Sequence, residues 1–173
     1  MTERLFFALW PSDELRQQLA QVSQQVAQTI SGKAVKLNNL HMTLAFLGNI
    51  ESPTKRCMQQ AAETLQEKSF QLNLSTLGYW TKPHILYLGI GQMPSELFAL
   101  VNNLTTALMT CGYQPERRAY QAHMTVMRKV SLVKQPLPEI SPLIWTVNNF
   151  CLVRSDMHAT GVHYEVIDQW HLV

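Results

Sequence analysis

Two short stretches of the chain carry residues whose types and spacing suit acid–base chemistry: His41-Met42-Thr43-Leu44 and His123-Met124-Thr125-Val126. Histidine titrates near neutrality, so one imidazole can serve as a base while another serves as an acid. Cleavage of a phosphodiester needs both, a base to activate the attacking oxygen and an acid to protonate the leaving one. The threonine hydroxyls can donate hydrogen bonds to the non-bridging phosphate oxygens. One His-x-Thr-apolar tetrad arises by chance in roughly one chain of this length in 20. Two, placed 82 residues apart at matching points of the chain, are a far stronger signal.

The spacing implies strands. Residues i and i+2 of a strand share a face, so His41 and Thr43 point one way while Met42 and Leu44 point to the core. The same holds for His123 and Thr125 against Met124 and Val126. Five residues after each histidine stand Phe46 and Arg128. Arg128 is expected to bind phosphate and Phe46 to face a base or sugar. Strict alternation sends both to the opposite face, and only a bulge or a strand end returns them. Arg117 and Arg118 read as a solvated charge pair. His84, His158, His163 and His171 read as structural or solvent-facing. Trp10, Trp80, Trp145 and Trp170 read as core or cleft wall.

The elements around the tetrads repeat. Arg4–Leu9 is a buried strand, Ser12 caps a helix with Leu15, Leu19, Val22, Val26 and Ile30 on one stripe, and His41–Leu47 is a strand. Residues 84–90 are again a strand, Pro94-Ser95 opens a helix through Leu97, Val101, Leu104 and Leu108, and Ala122–Lys129 is a strand. A helix from Ser52-Pro53 and an alternating strand at Phe70–Leu74 fill the middle, and Ala34–Leu37 suits a short strand. Three prolines mark residues 130–142 as a loop. Residues 145–154 and 162–171 are strands joined by the polar Ser155–Gly161 segment. This order gives an α+β fold of one domain over residues 1–173, duplicated as pseudo-repeats of about 1–79 and 80–173. Each repeat brings one histidine to a shared groove.

Composition narrows the function. The chain has 173 residues, net charge +2, 15% charged residues and 15 glutamines. A broadly basic surface for gripping duplex DNA is therefore not expected, while one or two arginines suffice for a single phosphate. No apolar run nears the ~20 residues that span a bilayer, and no secretory leader is expected. Cys57, Cys111 and Cys151 are odd in number and widely spaced, which suggests neither a zinc knuckle nor a disulfide framework and makes a reducing cytoplasm the expected setting. No Asp, Glu or Cys, and no second His, lies within five residues of either tetrad histidine, so a metal site is not expected. GxSxG and GxxxxGK[ST] motifs are absent.

The two tetrads, the Arg4-Leu5-Phe6-Phe7-Ala8 opening and the half-chain spacing resemble the 2H phosphoesterase superfamily, and within it the bacterial RNA 2′,3′-cyclic phosphodiesterases, historically called 2′-5′ RNA ligases. The resemblance covers nearly the whole chain. It implies a bilobal fold with two antiparallel sheets flanking a central cleft and helices outside. It implies hydrolysis of 2′,3′-cyclic phosphate ends of RNA to 2′-phosphates, and reversible formation of 2′-5′ links between tRNA half-molecules, without cofactor or metal. By the same resemblance His41 is the proton donor and His123 the proton acceptor. A cytoplasmic monomer acting on RNA ends or nucleotides is the expected form. The alternatives are a hydrolase of another small cyclic phosphate, such as ADP-ribose 1″,2″-cyclic phosphate, and a non-catalytic RNA- or nucleotide-binding module. Both tetrads being intact favours catalysis.

Overall fold

The structure, a computed structural model, describes residues 1–131 and 133–173. β1 (Thr2–Leu9) is aromatic-rich and buried over Leu5–Leu9 on both of its faces. Ser12 then caps α1 (Asp13–Ala27), its hydroxyl accepting from Leu15 N at 3.3 Å, and Asp13 and Glu14 favour the positive helix start. The α1 stripe Leu15, Leu19, Val22 and Val26 is buried as its spacing predicts, but the helix ends at Ala27, short of Ile30. The short strand is Lys33–Ala34 (β2), and a 3-10 turn at Leu37–Asn39 leads into β3 (Met42–Glu51). α2 (Ser52–Glu63) has proline in its first turn and hands over to β4 (Phe70–Trp80). β5 (Ile85–Ile90), α3 (Ser95–Met109), β6 (His123–Arg128), β7 (Leu143–Val147), β8 (Asn149–His158) and β9 (Gly161–His171) complete the order. The stretch expected as one strand over 145–154 is split between β7 and β8. The final hairpin is longer than its polar sequence suggested, since its turn is only Ala159-Thr160.

All pairings are antiparallel. One sheet has the order β3-β1-β8-β9 and the other β2-β6-β5-β4-β7. The repeated unit is strand–helix–strand: β1 pairs β3 across α1, and β5 pairs β6 across α3. Halves of the sequence are not lobes in space, however. β4 and β2 come from the first half and join the second sheet, while β8 and β9 return from the second half to complete the first. Strand pairing therefore moves the lobe boundary away from residues 79/80. One apolar core runs through both sheets and all three helices. A second, small cluster of Phe6, Ala8, Cys151 and Val153 covers the other face of the first sheet. Among the described residues no helix is long and apolar enough to cross a membrane.

Cys57 and Cys111 correct an expectation. They form a disulfide, Cα–Cα 5.8 Å, between α2 and the residue just beyond the C-cap of α3. The two helices pack side by side, which sequence spacing could not show because 54 residues separate the cysteines. Cys151 stays free and buried, and burial pushes its thiol up to about 12. Closing a loop of this length removes unfolded-state freedom worth about 2–4 kcal/mol. The double substitution Cys57→Ser/Cys111→Ser should lower the stability of oxidised protein by about that amount in urea unfolding, and reductant should do the same to the parent chain. An unchanged midpoint in both would contradict the cross-link.

Candidate active site

Each histidine is oriented by the chain just before it. His41 Nδ1 lies 2.7 Å from the carbonyl oxygen of Asn39, and His123 Nδ1 lies 2.8 Å from that of Gln121. A carbonyl only accepts, so in both rings Nδ1 carries the proton and Nε2 is the basic nitrogen. His41 Nε2 lies 3.1 Å from Thr43 Oγ1, whose hydroxyl donates to it. The two motifs thus hold their rings by the same main-chain contact, two residues back in each case.

The strand register fixes where the residues after each histidine point. Ala8 pairs with Thr43 and Phe7 with Ala45, so Leu44 is an extra residue in β3. Tyr87 pairs with Thr125 and Leu86 with Met127, so Val126 is the extra residue in β6. These are β-bulges at matching positions. Each turns two consecutive residues inward, Leu44-Ala45 and Val126-Met127, all buried. The next residue, Phe46 or Arg128, then emerges exposed. Phe46 shares its side of the first sheet with Arg4, whose guanidinium lies 5.1 Å from the ring centroid. It lines a cavity of about 320 Å³ together with Thr43, Trp80, Tyr120 and His123. Arg128 lies close enough for its charge to act on both imidazoles.

The surroundings are aromatic. Phe6 packs on His41 at 4.8 Å between centroids, Trp10 stacks on it at 5.9 Å, and Tyr164 meets it edge-on at 5.1 Å. Trp80 and Tyr87 meet His123 at 4.6 and 5.8 Å. Trp10 and Trp80 are cleft wall; Trp145 is core. Burial is the main force that lowers His41 to about 4, with the charges of Arg128, His123 and Arg16 adding to it and the Asn39 carbonyl opposing. Burial also lowers His123, again aided by Arg128 and by Arg118. Both rings are therefore neutral in the free protein at neutral pH. The buried Tyr120 phenol, pushed well above its usual range, donates to Thr43 O at 3.0 Å and ties the approach to β6 onto β3.

Sequence spacing missed Tyr87, Tyr120, Tyr164 and Arg16 as residues near the site, because each is brought in by tertiary packing from outside the tetrads. Arg118 pairs with Glu116 at the surface and also lines the cavity that holds His123. His84 approaches Tyr79 at 3.2 Å, and His158 and His163 meet each other on the last hairpin. Among the described residues no group of three or more His, Cys, Asp or Glu side chains converges as a metal site.

Depression of the His41 pKa has a sign that can be checked. The unfolded chain binds a proton there below about pH 6.5, whereas the folded chain does so only near 4, so stability is lost as pH falls through that window. Between pH 7 and pH 5 the parent chain should lose about 2 kcal/mol more than His41→Asn in urea unfolding. Equal losses would show that the folded imidazole takes up its proton in the ordinary range.

The geometry has counterparts. The family model of the 2′-5′ RNA ligase superfamily matches residues 11–159. The RNA 2′,3′-cyclic phosphodiesterase of Escherichia coli (strain K12) is 28% identical over 170 residues, covering 98% of this chain and 97% of that protein. The enzyme of the same name from Aquifex aeolicus is 25% identical over 185 residues, with 98% and 97% covered. Among solved structures, E. coli LigT in apo form is similar at a TM-score of 0.87 and 27% identity, covering 99% of this chain and 98% of that one. E. coli LigT complexed with 3′-AMP is similar at 0.91 and 27%, with 99% of each chain covered. With the matched region spanning both histidine motifs, α1 to α3, the whole of the second sheet and strands β3 and β8 of the first, the chain belongs to the 2′-5′ RNA ligase superfamily.

Proposed function

We propose that the chain hydrolyses 2′,3′-cyclic phosphate ends of RNA to 2′-phosphates by two-histidine acid–base catalysis without a metal. The observation that carries this reading is the pair of imidazoles, each held through Nδ1 by a carbonyl so that Nε2 is the nitrogen for proton transfer, with the Thr43 hydroxyl beside that of His41. His123 Nε2 takes a proton from water as the water oxygen bonds to phosphorus. The bond from phosphorus to the 3′ oxygen breaks, and that oxygen takes the proton held on His41 Nε2. The products are a 2′-phosphate and a free 3′-hydroxyl. A buried imidazolium is costly in the empty site, and the phosphate anion offsets that cost when it binds. Low basicity then makes His41 a ready donor to the alkoxide.

Thr43 and Thr125 donate to the non-bridging oxygens, Arg128 neutralises the phosphate and Phe46 packs on the base or sugar. The similarity to phosphodiesterases named for RNA ends, and to a structure holding 3′-AMP, supports a nucleotide in this cleft. With a 5′-hydroxyl in place of water the same step joins tRNA halves through a 2′-5′ link. That one chain supplies both histidines supports action as a monomer, and action on RNA ends supports a cytoplasmic setting.

The test is an oligonucleotide ending in a 2′,3′-cyclic phosphate, incubated with the protein in excess EDTA. A 2′-phosphate product is expected, and His41→Ala or His123→Ala should each cut kcat by about 10²–10⁴-fold with the fold retained. Turnover only with added metal, or a 3′-phosphate product, contradicts the mechanism. Phe46→Ala should raise KM several-fold and spare kcat, the signature of uniform binding. A fall in kcat at constant KM would move Phe46 out of the binding role.

A further inference from the structure

We infer that Arg16 is a positioning residue for the His41 half of the site: one guanidinium grips both the turn that binds the His41 ring and the indole that stacks on it. Arg16 lies on α1, beside the apolar stripe, and is only 7% exposed. A buried guanidinium without a carboxylate partner is expensive, and an apolar side chain of similar size usually serves stability as well or better. Here Nη1 donates to Leu37 O, and Nη2 has no partner among the described residues. Asp13, one turn back, supplies the attraction that partly offsets burial. The charge is thus spent on something other than an ion pair.

Both of its contacts lead to His41. Leu37 opens the 3-10 turn whose last residue, Asn39, accepts the His41 Nδ1–H. Asn39 Nδ2 in turn donates to Val162 O at 2.9 Å, so the turn is held from both sides. The Arg16 Cζ lies 5.0 Å from the Trp10 ring centroid, a cation–π contact, and Trp10 stacks on His41 with 19° between planes. Among the described residues the second motif has no such arrangement: Gln121 holds His123 and the neighbouring rings are Trp80 and Tyr87. Arg16 therefore makes the two histidines unequal. It fixes the ring, and its charge adds a minor share to the burial, and to the charges of Arg128 and His123, that disfavour a proton on His41.

The inference rests on His41 being catalytic, and the test separates the two. Arg16→Met and Arg16→Lys are compared with the parent chain in urea unfolding, in hydrolysis of a nucleoside 2′,3′-cyclic phosphate, and by NMR titration of His41 in the free protein. Arg16→Met should stay folded, lose about 10- to 100-fold in kcat with KM nearly unchanged, and titrate His41 at higher pH. Arg16→Lys keeps the charge without the fork, so the His41 titration should stay near that of the parent while kcat is only partly restored. Unchanged kcat and an unchanged His41 titration in Arg16→Met would overturn the inference, as would a rise in KM at constant kcat, which would put the guanidinium on substrate. If Arg16→Met does not fold, an Arg16→Lys kcat equal to the parent's overturns it. Absence of hydrolysis by the parent chain would refute the functional reading instead, and the His41 titration would still decide the role of Arg16.

Discussion

The candidate site depends on one local contact made twice, the hydrogen bond from an imidazole Nδ1–H to the carbonyl two residues back. It sets the tautomer and aims Nε2 away from the main chain. It also needs nothing from other side chains, so it survives in both repeats although their surroundings differ. The rest of the site is built on it. The threonine two residues on shares the face of the histidine, and the residues between them enter the core. Aromatic rings then pack around both imidazoles, and burial lowers the basicity of each.

The paired bulges are the second constraint. A regular strand would have turned Phe46 and Arg128 away from the histidines. Inserting Leu44 and Val126 reverses the alternation at the same point of each repeat. The two emerging side chains are then of different kinds, an aromatic ring and a cation, on equivalent backbones. The two strand–helix–strand units thus supply matching frames, and different side chains at equivalent positions give the two sides of the candidate cleft different chemistry. Arg16 adds to the asymmetry from the helix layer.

Much of this was legible in the sequence because it is local. The tetrads, the strand alternation around them and the Ser12 cap depend on neighbours only. The bulges left a trace as well: Leu44-Ala45 and Val126-Met127 are apolar doublets that break alternation just where the strict pattern failed to place Phe46 and Arg128. What escaped was set by long-range packing. The disulfide joins cysteines that look like ordinary helix residues until α2 and α3 lie side by side. β4 reads as the end of the first half, yet its edge is satisfied in the second sheet. Arg16 resembles any polar helix residue, because its burial depends on the Leu37–Asn39 turn and on Trp10.

The most direct test of the account is a measurement of histidine tautomer and protonation by ¹⁵N NMR on the free protein. At neutral pH both His41 and His123 should be neutral with the proton on Nδ1, and His41 should not charge until pH nears about 4. A proton on Nε2 of either ring, or a His41 that charges at its ordinary pKa near 6.5, would contradict the carbonyl-held, neutral pair on which the mechanism rests.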